Sequence, residues 1–267
     1  RMRVCGTCDP GSIPGEGTKY NKPMKFPIIY EDAHTLVIDK PAGIMVHPDD
    51  RQDEKTLADW IANKYDVKGV GDKGREGIVH RLDRNTTGVI IVAKDNIAFT
   101  LFKKQFKDHT TRKIYRAIVE GNIRNDTGMI DLPIARAKSD FRKRTIVDTF
   151  SKDARGKESE AITRYKVLAR SALPNGRQYT YVECYPLTGR THQIRAHFRG
   201  IRHPIIGDDL YGSRKGKDEA ERSMLHAYSL TIDIPGEHEG KETKTFVASV
   251  PKDMEAALKK LGLVDRK

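Results

Sequence analysis

Apolar and polar positions alternate along this chain with two clear periods. Val89 to Ala93 is a short, β-branched, unbroken apolar run bounded by Gly88 and Lys94, the pattern of a buried strand. Between Phe26 and Val46, two apolar runs, Ile28 to Tyr30 and Leu36 to Ile38, flank a polar turn. Pro41-Ala42-Gly43 makes a second turn, so this stretch reads strand, turn, strand, turn. Lys113 to Val119 alternates, with Ile114, Arg116 and Ile118 on one face and Tyr115, Ala117 and Val119 on the other. Ala161 to Leu168, Gln178 to Tyr185, Met224 to Ile234 and Phe246 to Val250 complete the predicted strands.

Helical spacing is found in four places. Thr56 to Tyr65 lines up Leu57, Trp60, Ile61 and Tyr65, and Asp95 is placed to cap a helix whose inner stripe is Ala98, Leu101, Phe102 and Phe106. After a proline and glycine turn, Pro186 to Gly200 predicts a short helix with Ile194 and Phe198 for packing and His192, Arg195 and Arg199 as a cationic stripe. Pro251 opens a last helix with Met254, Ala257, Leu258 and Leu261 inward. Strands and helices mixed in this way predict an α+β protein.

Residues 136 to 158 carry many lysines and arginines with few apolar groups, and two readings stand: a solvated loop, or a mobile basic arm for phosphates. Residues 1 to 25, rich in glycine and proline, read as a tail or linker. A formal net charge of +12 on 267 residues favours a polyanionic partner, with nucleic acid ahead of mere solubility. No apolar stretch approaches the roughly 20 residues of a membrane span, and no secretory leader is visible. Three cysteines do not build a disulfide framework, so the cytoplasm is the expected compartment. Cys5 and Cys8 form a CxxC without a second pair, and no metal site is expected there.

The chemistry concentrates just before the central strand. His80, Arg81, Asp83, Arg84, Asn85, Thr86 and Thr87 form a polar knot whose burial is costly unless the groups pair with one another or meet a charged ligand. A carboxylate beside a guanidinium stays ionised and can act as nucleophile or base. Each residue also has a plainer reading: Asp83 as a structural ion pair or turn cap, His80 as a satisfied core histidine, Tyr115 as packing, His192 as surface. Gly69, Gly71 and Gly74 match GxGxxG, but they follow a helix and lead into a strand, the reverse of a dinucleotide-binding loop. His80-Arg81 followed by Asp83 is interrupted by Leu82 and lacks the other parts of a kinase site.

In order along the chain, these segments resemble the RluA-type pseudouridine synthases. His80-Arg81-Leu82-Asp83 with Thr86-Thr87-Gly88 is similar to that family's HRLDxxTSG signature, with threonine where serine is usual. Lys40 to Gly43 resembles its KPAG turn, Lys113 to Ala117 its KxYxA strand, and Leu187 to His197 its LxTGRTHQIRxH motif. HPIIGDDLYG, His203 to Gly212, and PKDM, Pro251 to Met254, also fit. The resemblance implies a mixed, mostly antiparallel central sheet flanked by helices and loops, with a cleft across it and a catalytic domain over residues 26 to 267. It implies that uridine within RNA is detached at N1, rotated and rejoined through C5, without cofactor or metal, by a monomer. Asp83 matches the essential aspartate, and the resemblance does not choose among attack at C1′, addition to the base and removal of a C2′ proton. Tyr115 matches the tyrosine that stacks on the target base, and Arg195 the basic residue paired with the aspartate. Arg81 matches a side chain that fills the gap left by a flipped uridine. His80, Lys113, Arg190, Thr191 and His192 are expected to line the RNA cleft. Residues 1 to 25 are too short for the S4 RNA-binding domain that many members carry. Ribosomal RNA is the first expected substrate and transfer RNA the second. The rival reading is an RNA-binding module without activity, which an altered Asp83, Tyr115 or Arg195 would favour; all three are present.

Overall fold

The computed structural model describes residues 25–48, 54–147, 153–236 and 240–263. All but the last residue of the expected tail at 1–25, the Cys5–Cys8 pair within it and part of the basic 136–158 segment lie outside them.

Seventeen elements follow in chain order. They are β1 (Ile28–Glu31), β2 (Thr35–Lys40), α1 (Leu57–Lys64), β3 (Thr87–Ala93), α2 (Asn96–Lys107), β4 (Arg112–Glu120), β5 (Thr127–Asp131), β6 (Ile134–Ala137) and β7 (Arg144–Ile146). Then come β8 (Ala154–Ser159), β9 (Ile162–Ala172), β10 (Gln178–Pro186), α3 (Gln193–Gly200), α4 (Arg214–Lys217), β11 (Leu225–Pro235), β12 (Lys241–Val247) and α5 (Lys252–Lys260). Nine strands form one sheet in the order β1-β2-β3-β11-β4-β10-β9-β5, with β12 paired to the far end of β11. Only β3–β11 is parallel among the described pairs, so the expected mixed, mostly antiparallel sheet in an α+β fold is what the chain forms.

The predicted central strand is the most deeply placed element: all seven residues of β3 are buried. Burying its valines and isoleucines contributes about 1.5–3 kcal/mol each. One core packs α1, α2, β2 and β3 with the later part of β11, and a second packs β4, β10, α3 and α5. Strand β11 belongs to both, through Leu225 on one side and Leu230, Ile232 and Ile234 on the other.

Four local expectations are corrected. In α2 the buried residues are Ala98, Phe99, Phe102 and Gln105, while Leu101 and Phe106 are half-buried. The Gln105 amide bridges the backbone of Asp233 on both sides, at 2.8 Å each, and Phe99 covers Gly71, where a Cβ would lie 2.2 Å from its ring. These two contacts turn the helix away from the stripe that periodicity alone selects. Strand β12 begins at Lys241 and ends at Val247, because polar Lys241 to Thr245 pair with β11 along its edge. The basic stretch is only partly loop where it is described: residues 138–143 turn between strands, while β6, β7 and β8 make a separate three-stranded sheet that seats Ile146 against Gly200 of α3. Lastly, His192 stands before α3, and Gln193 to Phe198 are buried on every side, so the expected cationic stripe is not a helix face.

Candidate active site

The segment before β3 is fixed by main-chain contacts from three directions. The Ile91 N–H donates to His80 Nε2 at 2.9 Å, the Thr86 N–H to Asp83 O at 3.0 Å, and the Gly43 N–H to Arg84 O at 3.0 Å. Buried Lys40 donates to the carbonyls of Pro41, Ile44 and Arg84 at 2.8–2.9 Å. Burial pulls its pKa down to about 7, with Asp83 pulling the other way; three carbonyl acceptors require three N–H groups, so Lys40 is an ammonium here. Behind the segment, His226 Nε2 lies 3.2 Å from Ala248 O, which can only accept, so Nδ1 accepts from Thr87 Oγ1 at 2.8 Å. Asp83 therefore stands on a braced loop.

The opposite wall is the turn into α3. Gln193 holds it: its Oε1 accepts from Thr188 Oγ1 at 2.8 Å and from the Arg190 N–H at 2.9 Å, and its Nε2 donates to Ile162 O and Thr163 Oγ1. With every polar atom of this amide used, the turn is rigid. It forces His192 to φ 57°, the left-handed region that a non-glycine residue occupies only at some cost. From that position His192 Nε2 comes within 3.7 Å of Asp83 Oδ1, while Nδ1 meets Tyr211 Oη at 3.0 Å. Tyr211 Oη accepts from the Arg144 N–H of β7 at 2.7 Å, tying the small sheet to the turn.

Arg195, 5% exposed, is the cation at the centre. Its Nη1 donates to Asp83 Oδ2 at 3.0 Å. Its Nε and Nη2 fork onto Asp208 at 2.6 and 2.8 Å, and Nη2 reaches Asp209 Oδ1 at 3.2 Å. Burial opposes its charge, but the bonds to Asp208 and the field of Asp83 raise its pKa above the ordinary value. For Asp208, burial pushes the carboxyl up and the Arg195 bonds win, so its pKa is lowered. Ionised partners at these distances make charge-assisted bonds, stronger than neutral ones.

These walls enclose a cavity of about 470 Å³ lined by His80, Arg81, Asp83, Phe106, Lys113, Tyr115, Arg190, His192 and Arg195 among others. That volume suits a small planar ligand. Tyr115 stands on β4 at the seam of the two cores, and burial, then the Asp83 charge, raises its pKa. It remains a neutral phenol at neutral pH. Burial likewise lowers His192 despite the Asp83 charge, and lowers Lys113. His80 is pushed down to about 3 by burial and then by Lys113, and its ring stacks on Phe106 at 4.5 Å between centroids.

Eight of the nine residues expected at the site line this one cavity; Thr191 is exposed and is not among its lining residues. His80 forms wall, its Nε2 occupied by β3. Arg81 is exposed at the rim and lies 3.0 Å from His47 Nε2. Arg190 donates to Glu160 O at 3.0 Å. The sequence reading assigned no role to Asp208, Tyr211 or Gln193. Its available signal was the DDLY of the turn-rich loop, which names no partner until the loop is folded against α3.

An α+β sheet with a carboxylate, a tyrosine and an arginine converging in one cationic cleft defines an enzyme built for a polyanionic substrate. A family model described as RNA pseudouridylate synthase matches residues 34–199, and the chain belongs to that family. It is 37% identical over 98% of its length to the ribosomal large subunit pseudouridine synthase D of Zymomonas mobilis, of which it covers 80%. It is 38% identical over 86% of its length to the protein of the same name from Borreliella burgdorferi, covering 68% of that protein. Among solved structures, human RNA pseudouridylate synthase domain containing 4 superposes with a TM-score of 0.66 at 26% identity, over 88% of this chain and 92% of that one. The chain is an RNA pseudouridine synthase, an isomerase. Among the described residues, no helix is long and apolar enough to cross a membrane.

Proposed function

We propose that residues 26 to 267 are the catalytic domain of a cytoplasmic, monomeric enzyme that converts a uridine of large-subunit ribosomal RNA to pseudouridine, with Asp83 as the catalytic carboxylate. The observation that carries this reading is the single contact of Asp83 with Arg195, 3.0 Å long, at the edge of a cavity that Tyr115 also lines. The carboxylate accepts one N–H from its arginine through Oδ2 and has Oδ1 outside that bond. Tyr115, a phenol on a packed strand, is the platform on which the detached base lies. Arg195 holds the carboxylate in place. Arg81, at the rim, takes the space of the flipped uridine, and Lys113, Arg190, Thr191 and His192 meet the RNA strand, with His80 as the wall behind them. The isomerisation balances within the substrate: the N1–C1′ bond breaks, the C5–C1′ bond forms, the C5 proton leaves and N1 gains one. Ribosomal RNA is favoured because relatives covering most of this chain carry that substrate in their names; transfer RNA is the second choice.

The test is Asp83→Ala, assayed by tritium release from C5-labelled uridine in RNA, with affinity for the RNA measured alongside. Release is expected to vanish while affinity stays near the parent value. Full activity in the variant removes Asp83 from the role. Mapping pseudouridines in total RNA with and without the gene then names the target.

A further inference from the structure

The three-stranded sheet, in the order β7-β6-β8, carries one arginine on each strand at the same level. Arg136 of β6 stands opposite Arg144 of β7 on one side and opposite Arg155 of β8 on the other. Directly opposite residues point to the same face, with Cβ atoms about 4.5–5.5 Å apart, so the three side chains form a row about 10 Å long. Like charges placed this way destabilise the pairing. Among the described residues, no carboxylate forms an ion pair with any of the three to offset that. The acids nearby are taken: Arg142 holds both oxygens of Asp140 at 2.7–3.2 Å, and Ser139 holds Asp153 at 2.8–2.9 Å. Arg136 and Arg155 are exposed and Arg144 is half-buried. Burial, then the Arg136 charge, lowers the pKa of Arg144, which stays a cation all the same. The row starts at the cleft: the Arg144 N–H donates to Tyr211 Oη at 2.7 Å, and that oxygen lies 3.0 Å from Nδ1 of His192, the residue that faces Asp83. Strand β7 is seated on α3 through Ile146, and β6 and β8 extend the row from there.

We infer that Arg144, Arg136 and Arg155 form a second RNA-binding surface, which holds the phosphodiester backbone of the substrate outside the cleft that takes the uridine. Guanidinium is weakly hydrated and its fork matches a phosphate, so a run of phosphates supplies the counter-charge that the sheet itself lacks. Contacts of this kind fix the strand on the protein and carry no sequence information. The inference rests on RNA being the substrate, and neither on which RNA it is nor on the role of Asp83.

The test is binding of polyuridylate across a range of salt, by fluorescence anisotropy, to the parent and to the triple variant Arg136→Gln, Arg144→Gln, Arg155→Gln. For single strands each neutralised phosphate contributes about 0.7 log units of affinity per decade of salt, so the variant's salt slope should be shallower by about 2 and its affinity at 0.1 M salt roughly 100-fold lower. Tritium release from C5-labelled total RNA, measured below saturation, should fall in parallel. A second triple, Lys68→Gln, Lys252→Gln, Lys259→Gln, removes the same formal charge at exposed positions outside the row and should stay near the parent slope. The free row variant should melt no lower than the parent, since three like charges leave the sheet. If it does not fold, the single variant Arg155→Gln, at an exposed position of the outer strand, is read in its place, with a slope lower by about 0.7. A parent-like slope in the row variant, an equal change in both triples, or undiminished tritium release overturns the inference. The role of Asp83 is read separately, from release by Asp83→Ala at saturating RNA, so the two readings fail independently.

Discussion

Replacing Arg195 with methionine keeps much of the side chain's length and deletes the cation that Asp83, Asp208 and Asp209 share. The Asp208 side chain has no exposure at all, so the variant strands a buried carboxylate. Removing one partner of a buried pair costs about 3–5 kcal/mol. At about 2–4 °C per kcal/mol for a chain of this size, the melting temperature should fall by roughly 6–20 °C at neutral pH. The pH dependence identifies the cause. In the parent, Asp208 sits below the ordinary carboxyl value, so its stabilisation is present above that value and is lost as pH falls through the lowered one. In the variant, the N–H bonds from Leu210 and Tyr211 remain but the larger effect of Arg195 is gone, so burial moves the value upward and protonation at acid pH relieves the penalty. The stability gap between the two proteins should therefore narrow from pH 8 to pH 5, read from urea unfolding at each pH. Adding Asp208→Asn to the variant should narrow it at pH 8 as well. A gap below about 1 kcal/mol, or one that stays constant across that range, refutes the buried-charge argument.

Gly88→Ala should destabilise by about 3 kcal/mol or more, because Gly88 lies at φ 111° and a Cβ there would meet Ala227 O at 2.2 Å; urea unfolding within 1 kcal/mol of the parent contradicts this. His226, fully buried and held down to about 4 by burial, leaves a proton to the unfolded chain alone between its ordinary value near 6.5 and pH 4. Stability should therefore fall with pH across that window, by ~2 kcal/mol between pH 6.5 and pH 5 from this group. His226→Gln should show a correspondingly shallower acid decline, and an equal decline in both proteins is the contrary result.

The main strands were legible because their apolar content decides burial locally: β3 needs no partner to read as core. Asp83 and Arg195 were legible through motifs, 112 residues apart in the chain and joined by one bond. Asp208 was not, since its meaning lies in a fork that exists only once the DDLY loop folds against α3. The three-stranded sheet was missed for a related reason. Its strands are rich in lysine and arginine, and their pairing is supported by a few contacts, such as Ile146 on Gly200, that leave no period in the sequence. Lys241 to Thr245 likewise carries no apolar alternation, and its strand character comes from the neighbour it zips onto. His192 stood at helical spacing from Arg195, but the satisfied Gln193 amide made it the left-handed residue in front of the helix.

The place of β11 between β3 and β4 has a consequence for how the protein is made. A nascent chain already long enough to include Asp83, Tyr115 and Arg195 holds every one of those side chains, yet lacks the strand that stitches their two halves together. The pairings of His226 and Ala227 with β3, and of Leu225 to Thr231 with β4, join the two halves within the sheet. A chain without β11 therefore lacks the strand on which the acid's half of the cleft and the platform's half are hung side by side.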